Sequence, residues 1–163
     1  MSFPRQSLEL AGDLLAAAEA QQVRLATAES CTGGLIAGCL TEIAGSSRVV
    51  DRGFVTYDNR AKEEMLGVPA ALLERVGAVS EEVARAMAEG ALARSPADLA
   101  IAVTGIAGPG GATDTKPVGL VHMAVARRGR PTLHRREVFP GDRTAVRAAS
   151  VDAALALALD ALA

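Results

Sequence analysis

The sequence predicts one α/β domain over residues 1–163, with three layers (α/β/α) and a mixed, mostly parallel sheet of about five strands. Two observations favour this fold. Short apolar runs of strand length alternate with segments whose apolar residues recur at helical spacing. The runs "VGLVHMAVA" and "TLHRREVF" follow each other through "RRGRP", which is typical of a hairpin and makes the sheet mixed. Half of the residues are hydrophobic, enough for a sizeable core.

The first half of the chain predicts three helices and two strands. A helix over residues 5–20 precedes a buried strand over 23–29. Apolar residues at helical spacing from Leu35 to Ile43 indicate a second helix, which Gly45 would end. A strand over 48–57, with Gly53 as a bulge candidate, leads into a short helix over 59–66.

The second half predicts two helices and three strands. Ser80 is placed to cap a helix that runs to about residue 94. The segment 98–105 has the apolar composition of a buried strand, and a loop rich in glycine and proline follows it. After the two hairpin strands, Asp142 is placed to cap a final amphipathic helix.

Composition excludes several classes of protein. A net charge of −2 gives no general case for nucleic-acid binding. Glu9, Asp13 and Glu19 interrupt the apolar N-terminal segment, which is therefore neither a signal peptide nor a membrane span. The two cysteines, Cys31 and Cys39, form no disulfide framework, so a cytoplasmic location is the default expectation.

The cationic residues are unevenly chosen, with fifteen arginines and only two lysines, Lys62 and Lys116. Arginine keeps its proton in proteins, whereas a buried lysine can lose it and act as a base. Lysine is therefore the more informative cation in this chain, although two lysines are also compatible with chance.

Three polar loops, "ESCTGG", "YDNRAK" and "TGIAGPGG", each follow a predicted strand. Ligands of open α/β sheets bind beyond the carboxyl ends of the strands. If these strands are parallel, the three loops meet at one edge of the sheet and form the candidate site.

The first loop offers two nucleophiles, Ser30 and Cys31. Ser30 at a helix start would lie near free N–H groups that stabilise an oxyanion, and Thr32, Gly33 and Gly34 would contact substrate. The alternative is an ordinary N-cap followed by a turn.

Cys31 would need a histidine base. The only histidines, His122 and His134, fall in predicted strands away from the three loops. A buried structural cysteine is therefore favoured at position 31.

The second and third loops supply candidates for the base and for binding. A desolvated Lys62 near a serine can act as the base, with Tyr57 as a proton relay; the alternative is a solvated lysine and a strand-end tyrosine. In the third loop, Thr104, Gly105 and Gly108 would bind an anion through backbone N–H groups, or the loop is a plain connection.

Arg143 is placed near the start of the final helix to meet an anionic group, whereas Arg147 reads as part of a solvated helix face. Two separated histidines and two cysteines do not have the spacing of metal ligands, so no metal site is expected.

Several long motifs occur together and in order, namely "TAESCTGGLIAGCLTEIAGSS", "DRGFVTYDNRAKEEMLGV", "GAVSEEVARAMAEGAL" and "VTGIAGPGG" with "KPVGLV". They closely resemble the C-terminal domain of the CinA (competence/damage-inducible) family, over residues 5 to 160. The resemblance implies a stand-alone amidohydrolase that converts nicotinamide mononucleotide to nicotinic acid mononucleotide and ammonia. It implies Ser30 as nucleophile, a packing role for Cys31, functional roles for Lys62 and Tyr57, and no cofactor.

The match departs from the family at two positions, since Asp58 stands where serine is expected and His122 where an aromatic residue is common. Larger members carry an additional N-terminal pyrophosphatase domain, to which nothing in this sequence corresponds. A non-catalytic module that binds a nucleotide or a partner is the alternative function. The expected partner is the small-molecule substrate rather than nucleic acid or membrane, and a homo-oligomer is compatible with this reading.

Overall fold

The computed structural model describes residues 2–163 and contains one five-stranded sheet in the order β2–β1–β3–β4–β5. Strands β1, β2 and β3 run parallel, and β4 and β5 add to the β3 edge as an antiparallel hairpin. The predicted mixed sheet of five strands is therefore confirmed. The strands are β1 Leu25–Glu29, β2 Val50–Val55, β3 Leu99–Gly105, β4 Leu120–Arg127 and β5 Leu133–Val138.

Six α-helices cover the sheet, and five of them lie where the sequence predicts helices. The sixth, α4, occupies "AALLERV" between Pro69 and Gly77, and its seven residues are too few to show helical periodicity. The helices are α1 Arg5–Ala20, α2 Leu35–Thr41, α3 Asn59–Leu66, α4 Ala70–Val76, α5 Glu81–Ala93 and α6 Arg143–Leu162, with a short 3₁₀ turn at Ser46–Arg48.

The two faces of the sheet carry side chains of different size. Along β3, Leu99, Ile101 and Val103 point to the core beneath α1, α2 and α6, whereas Ala100 and Ala102 point to the core beneath α3, α4 and α5. Small side chains on the second face let α5 lie close to the sheet. These two cores produce the predicted three layers.

Local signals in the sequence account for several element boundaries. The hydroxyl of Ser80 accepts the N–H of Val83 at 3.3 Å, as predicted for a helix cap, and Asp142 caps α6 in the same way. The bulge prediction at Gly53 is wrong, because the register shift between β1 and β2 falls at Asp51. Gly53 instead lies against Thr27, whose Oγ1 would be 2.7 Å from an added Cβ.

The carboxyl ends of β1, β2 and β3 lie side by side, so the loops that follow them meet at one edge of the sheet, as the parallel arrangement predicts. Within residues 2–163, no helix has both the length and the apolar character needed to cross a membrane.

Candidate active site

The three loops enclose a cavity of about 260 Å³ at the carboxyl edge of the parallel strands. Seven of the ten residues proposed from sequence line it: Ser30, Tyr57, Lys62, Thr104, Gly105, Gly108 and Arg143. Cys31 also lines it. The start of α6 contributes Arg143, so the cavity joins three strand ends and one helix end.

The contact between Lys62 and Ser30 is the central feature of the cavity. Lys62 Nζ lies 2.9 Å from Ser30 Oγ, and only 1% of the lysine is exposed. Nζ also lies 2.8 Å from the carbonyl oxygen of Thr56 and 3.3 Å from that of Tyr57. A neutral amine has two hydrogens and one lone pair, so two carbonyls can take the hydrogens while the lone pair accepts the Ser30 proton.

The pKa of Lys62 is shifted in the direction of this neutral form. Burial lowers the pKa of the Lys62 amine from its ordinary value of 10.5, and the carboxylate of Asp58 opposes that effect. Asp58 also caps α3, the helix that carries Lys62, by accepting the N–H of Arg60 at 3.2 Å. Asp58 therefore caps α3 and adds a negative charge that acts on Lys62.

Cys31 lies in an environment that disfavours a thiolate. Burial raises the pKa of its thiol to about 11. The thiol, rather than the reactive thiolate, is therefore the form favoured near neutral pH. The structure thus places a hydroxyl in contact with a lysine and a buried thiol with a raised pKa on adjacent residues.

Tyr57 contributes differently from the predicted relay. The residue is 61% exposed, and its phenol oxygen accepts a hydrogen bond from Arg143 Nη2 at 3.0 Å, while Arg143 Nη1 donates to the carbonyl of Gly108 at 2.9 Å. Tyr57 meets Lys62 through its backbone carbonyl instead. Because Lys62 Nζ contacts Ser30 Oγ directly, proton transfer between them would need no intermediate phenol.

Thr32, Gly33 and Gly34, expected to contact substrate, do not line the cavity. Thr32 is fully buried, and its hydroxyl donates to Glu29 Oε1 at 2.6 Å. Gly33 and Gly34 have φ values of +57° and +103°, which a glycine adopts without strain. These three residues shape the turn after Ser30.

The helix that follows Ser30 begins later than the predicted oxyanion site requires. α2 starts at Leu35, and its N–H groups at Ile36 and Ala37 donate to the two carboxylate oxygens of Glu29 at 2.9 and 3.1 Å. The donors assigned to the oxyanion are therefore already engaged. Sequence reasoning gave Glu29 no role, although an acid at the end of a short, mostly apolar strand was a usable signal.

The two histidines lie outside the cavity, as their strand positions predict. His122 Nδ1 lies 2.9 Å from His134 Nε2, and burial lowers the pKa of His122 to about 4. Arg147 is not simply solvated, because it donates to the carbonyls of Cys31 and Thr32 at 3.0 and 3.3 Å. Within residues 2–163, no group of three or more His, Cys, Asp or Glu side chains is placed to hold a metal ion.

Fold and site together define an α/β protein with a buried serine–lysine pair at the carboxyl edge of parallel strands. A sequence model of the CinA C-terminal domain matches residues 7–162, and the chain belongs to this family. A solved competence/damage-inducible protein from Agrobacterium tumefaciens has the same fold, with a TM-score of 0.95 and 53% identity over 99% of this chain and 98% of that one.

Curated relatives fall into two size groups. A CinA-like protein from Akkermansia muciniphila is 57% identical over 86% of this chain, which spans 34% of that relative's length. A protein from Enterobacter agglomerans named nicotinamide-nucleotide amidohydrolase PncC is 51% identical over 85% of both chains. The chain thus spans about a third of the longer relative and most of the shorter one.

Proposed function

We propose that this chain is a serine–lysine amidohydrolase that converts nicotinamide mononucleotide to nicotinic acid mononucleotide and ammonia. The observation that carries the proposal is the 2.9 Å contact between Lys62 Nζ and Ser30 Oγ inside a cavity. The amidohydrolase name of the Enterobacter agglomerans relative supports amidase chemistry, since 85% of each chain is aligned.

In the first half-reaction, neutral Lys62 accepts the proton of Ser30 as Oγ attacks the carboxamide carbon of the nicotinamide. The carbonyl π electrons move onto oxygen and give a tetrahedral oxyanion. Collapse of this intermediate breaks the carbon–nitrogen bond, and Lys62 returns its proton to the leaving nitrogen. Ammonia departs, and a nicotinoyl ester remains on Ser30.

The second half-reaction reverses these roles with water as the nucleophile. Lys62, again neutral, takes a proton from water as its oxygen attacks the ester carbon. The ester bond then breaks, and the proton on Lys62 returns to Ser30 Oγ. The product is a carboxylic acid, which is ionised at neutral pH. The free enzyme is regenerated, and no step of this sequence uses a metal.

Oxyanion stabilisation is assigned to the backbone around the cavity rather than to the α2 helix start. Glu29 engages the N–H groups of Ile36 and Ala37, so those donors are not available. Cys31 and most residues of the loop 105–111 line the cavity together with Ser30. N–H groups in that position would act on the charge as it develops.

The substrate phosphate is assigned to Arg143 and the glycine-rich loop. Arg143 lines the cavity, and Nη2 and Nη1 donate to the Tyr57 phenol and the Gly108 carbonyl. These are neutral acceptors that a dianionic phosphate can displace, because hydrogen bonds from a cation to an anion are stronger. Gly110 has no atom within 4 Å of an added Cβ, so the loop leaves room for a ligand at that point.

The test is to incubate the purified protein with nicotinamide mononucleotide and measure ammonia and nicotinic acid mononucleotide together. The proposal expects both products in a one-to-one ratio, at a rate proportional to enzyme concentration. Binding of the nucleotide without ammonia release would replace the proposal with a non-catalytic binding module. If the protein released ammonia only from other amides, amidase activity would stand and nicotinamide mononucleotide would be refuted as its substrate.

A further inference from the structure

Glu29 is the one acidic side chain among the fully buried large residues of the chain described over 2–163. It ends β1 and immediately precedes Ser30. Its carboxylate accepts three hydrogen bonds, from Thr32 Oγ1 and from the N–H groups of Ile36 and Ala37. A buried carboxylate is costly unless it is well hydrogen-bonded, and these three hydrogen bonds offset that cost.

The three hydrogen bonds of the Glu29 carboxylate span the turn that carries Ser30. The turn leaves β1 at Ser30 and enters α2 at Leu35. Glu29 links the two ends of this turn, because it accepts hydrogen bonds from Thr32 and from the first turn of α2. Its own backbone carbonyl also accepts the N–H of Thr56 at 2.8 Å, and the carbonyl of Thr56 contacts Lys62.

The opposite side of the turn is held by Arg147, which donates from α6 to the carbonyls of Cys31 and Thr32. The two side chains therefore meet at Thr32, where Glu29 accepts the hydroxyl hydrogen bond and Arg147 donates to the backbone carbonyl. The backbone N–H of Ser30 donates to Val103 O at 3.0 Å, which ties the turn to β3.

We infer that Glu29 is a positioning residue for the Ser30 nucleophile, acting through Thr32 and the start of α2. Its side chain makes no hydrogen bond to Lys62 and does not line the cavity, so we assign it no part in proton transfer. Its effect is to keep Ser30 Oγ within hydrogen-bond distance of Lys62 Nζ. This inference deepens the proposed function, because it rests on Ser30 being the nucleophile.

The experiment uses an alkyl fluorophosphonate, which reacts with an activated serine by forming an O–P bond and releasing fluoride. The labelling rate of Ser30 reports the nucleophile without any amide substrate. Glu29→Gln has the shape of the native side chain, but its amide nitrogen cannot accept an N–H. Thr32→Val removes only the hydroxyl, Thr32→Ser restores it, and Glu42→Gln changes an exposed carboxylate at the other end of α2 as the control.

The inference expects Glu29→Gln to label at least about tenfold more slowly per folded molecule, because a misplacement of about 1 Å can cost a hundredfold. Thr32→Val should show a smaller loss that Thr32→Ser recovers, and Glu42→Gln should label like the parent. The pH at half-maximal labelling should stay the same in Glu29→Gln, since burial lowers the pKa of Lys62, the Asp58 carboxylate opposes that effect, and neither changes in this variant. With nicotinamide mononucleotide, kcat should fall by the same factor at constant KM.

A purely structural Glu29 would lower the melting temperature and the fraction of folded protein, while the folded molecules would label at the parental rate. That result overturns the inference, as does a parent protein whose Ser30 does not label. A parent that labels at Ser30 but releases no ammonia from nicotinamide mononucleotide refutes the proposed substrate. In that case a slow Glu29→Gln still supports the positioning role.

Discussion

Replacing Lys62 with arginine tests whether position 62 needs a base or only a positive charge. Nζ lies 2.9 Å from Ser30 Oγ, in a site where the lysine is 1% exposed. A guanidinium keeps its proton below a pH of about 12 and offers donors but no acceptor. Lys62→Arg should therefore remove proton transfer while it keeps the charge.

The expected loss follows from the role assigned to the amine. A positioned general base contributes about 10²–10⁴-fold, so kcat/KM for ammonia release should fall by at least about a hundredfold. That factor corresponds to about 3 kcal/mol or more of transition-state stabilisation. Lys62→Met, which has similar length and no charge, should lose as much as Lys62→Arg.

Lys116→Arg is the matched control, because Lys116 Nζ only donates to the carbonyl of Val76 and arginine can make the same contact. Ammonia release is measured with a coupled dehydrogenase assay, and thermal unfolding establishes that each variant is folded. A folded Lys62→Arg protein with near-parental turnover would show that position 62 is an electrostatic contact and would refute the base assignment.

Three further predictions concern the phosphate, the pH dependence and helix packing. Nicotinamide riboside should have a kcat/KM at least about tenfold below that of nicotinamide mononucleotide, since each lost charge-assisted hydrogen bond costs about 1.5–3 kcal/mol. Arg143→Gln should reduce this difference between the two substrates. Equal kcat/KM values for the two substrates in the parent protein would refute the phosphate site. The rate should fall as the pH is lowered through the pKa of Lys62, because the protonated amine has no lone pair. The Asp58 carboxylate raises the pKa of Lys62. Asp58→Asn, which can still cap α3, should therefore move the midpoint of a pH–rate profile to lower pH. A shift of the midpoint to higher pH would contradict this effect of Asp58 on Lys62. Gly90→Ala should lower the free energy of unfolding in urea by about 1–3 kcal/mol, because an added Cβ would lie 2.0 Å from the backbone oxygen of Leu66; an unchanged midpoint would show that α3 can move away freely.

The layered fold and the meeting of the three loops could be predicted from sequence, because both follow from strand order and the geometry of parallel sheets. Apolar periodicity locates β1 and β3, and glycine and proline mark where they end. The rarity of lysine among the cationic residues draws attention to Lys62 and Lys116, and of the two only Lys62 lies in one of the three polar loops that follow predicted strands. The buried contact between Lys62 and Ser30 is the structural feature most consistent with that interpretation.

The remaining details depend on tertiary contacts that local patterns do not contain. The start of α2 is set by the carboxylate of Glu29, which engages N–H groups seven and eight residues along the chain. The phenol of Tyr57 meets Arg143, 86 residues away in sequence, rather than its neighbour Lys62. Spacing alone cannot distinguish such orientations, because each side chain has several allowed rotamers.

The identity of the nucleophile is the central claim: Ser30, and not the adjacent Cys31, attacks the amide. The most direct measurement compares kcat/KM for ammonia release from nicotinamide mononucleotide by Ser30→Ala and Cys31→Ala, with thermal unfolding to establish that both are folded. Because the pKa of the Cys31 thiol is raised to about 11, Cys31→Ala should stay within about threefold of the parent. Ser30→Ala should lose at least about a thousandfold. Retained turnover in Ser30→Ala together with an inactive Cys31→Ala would contradict the account.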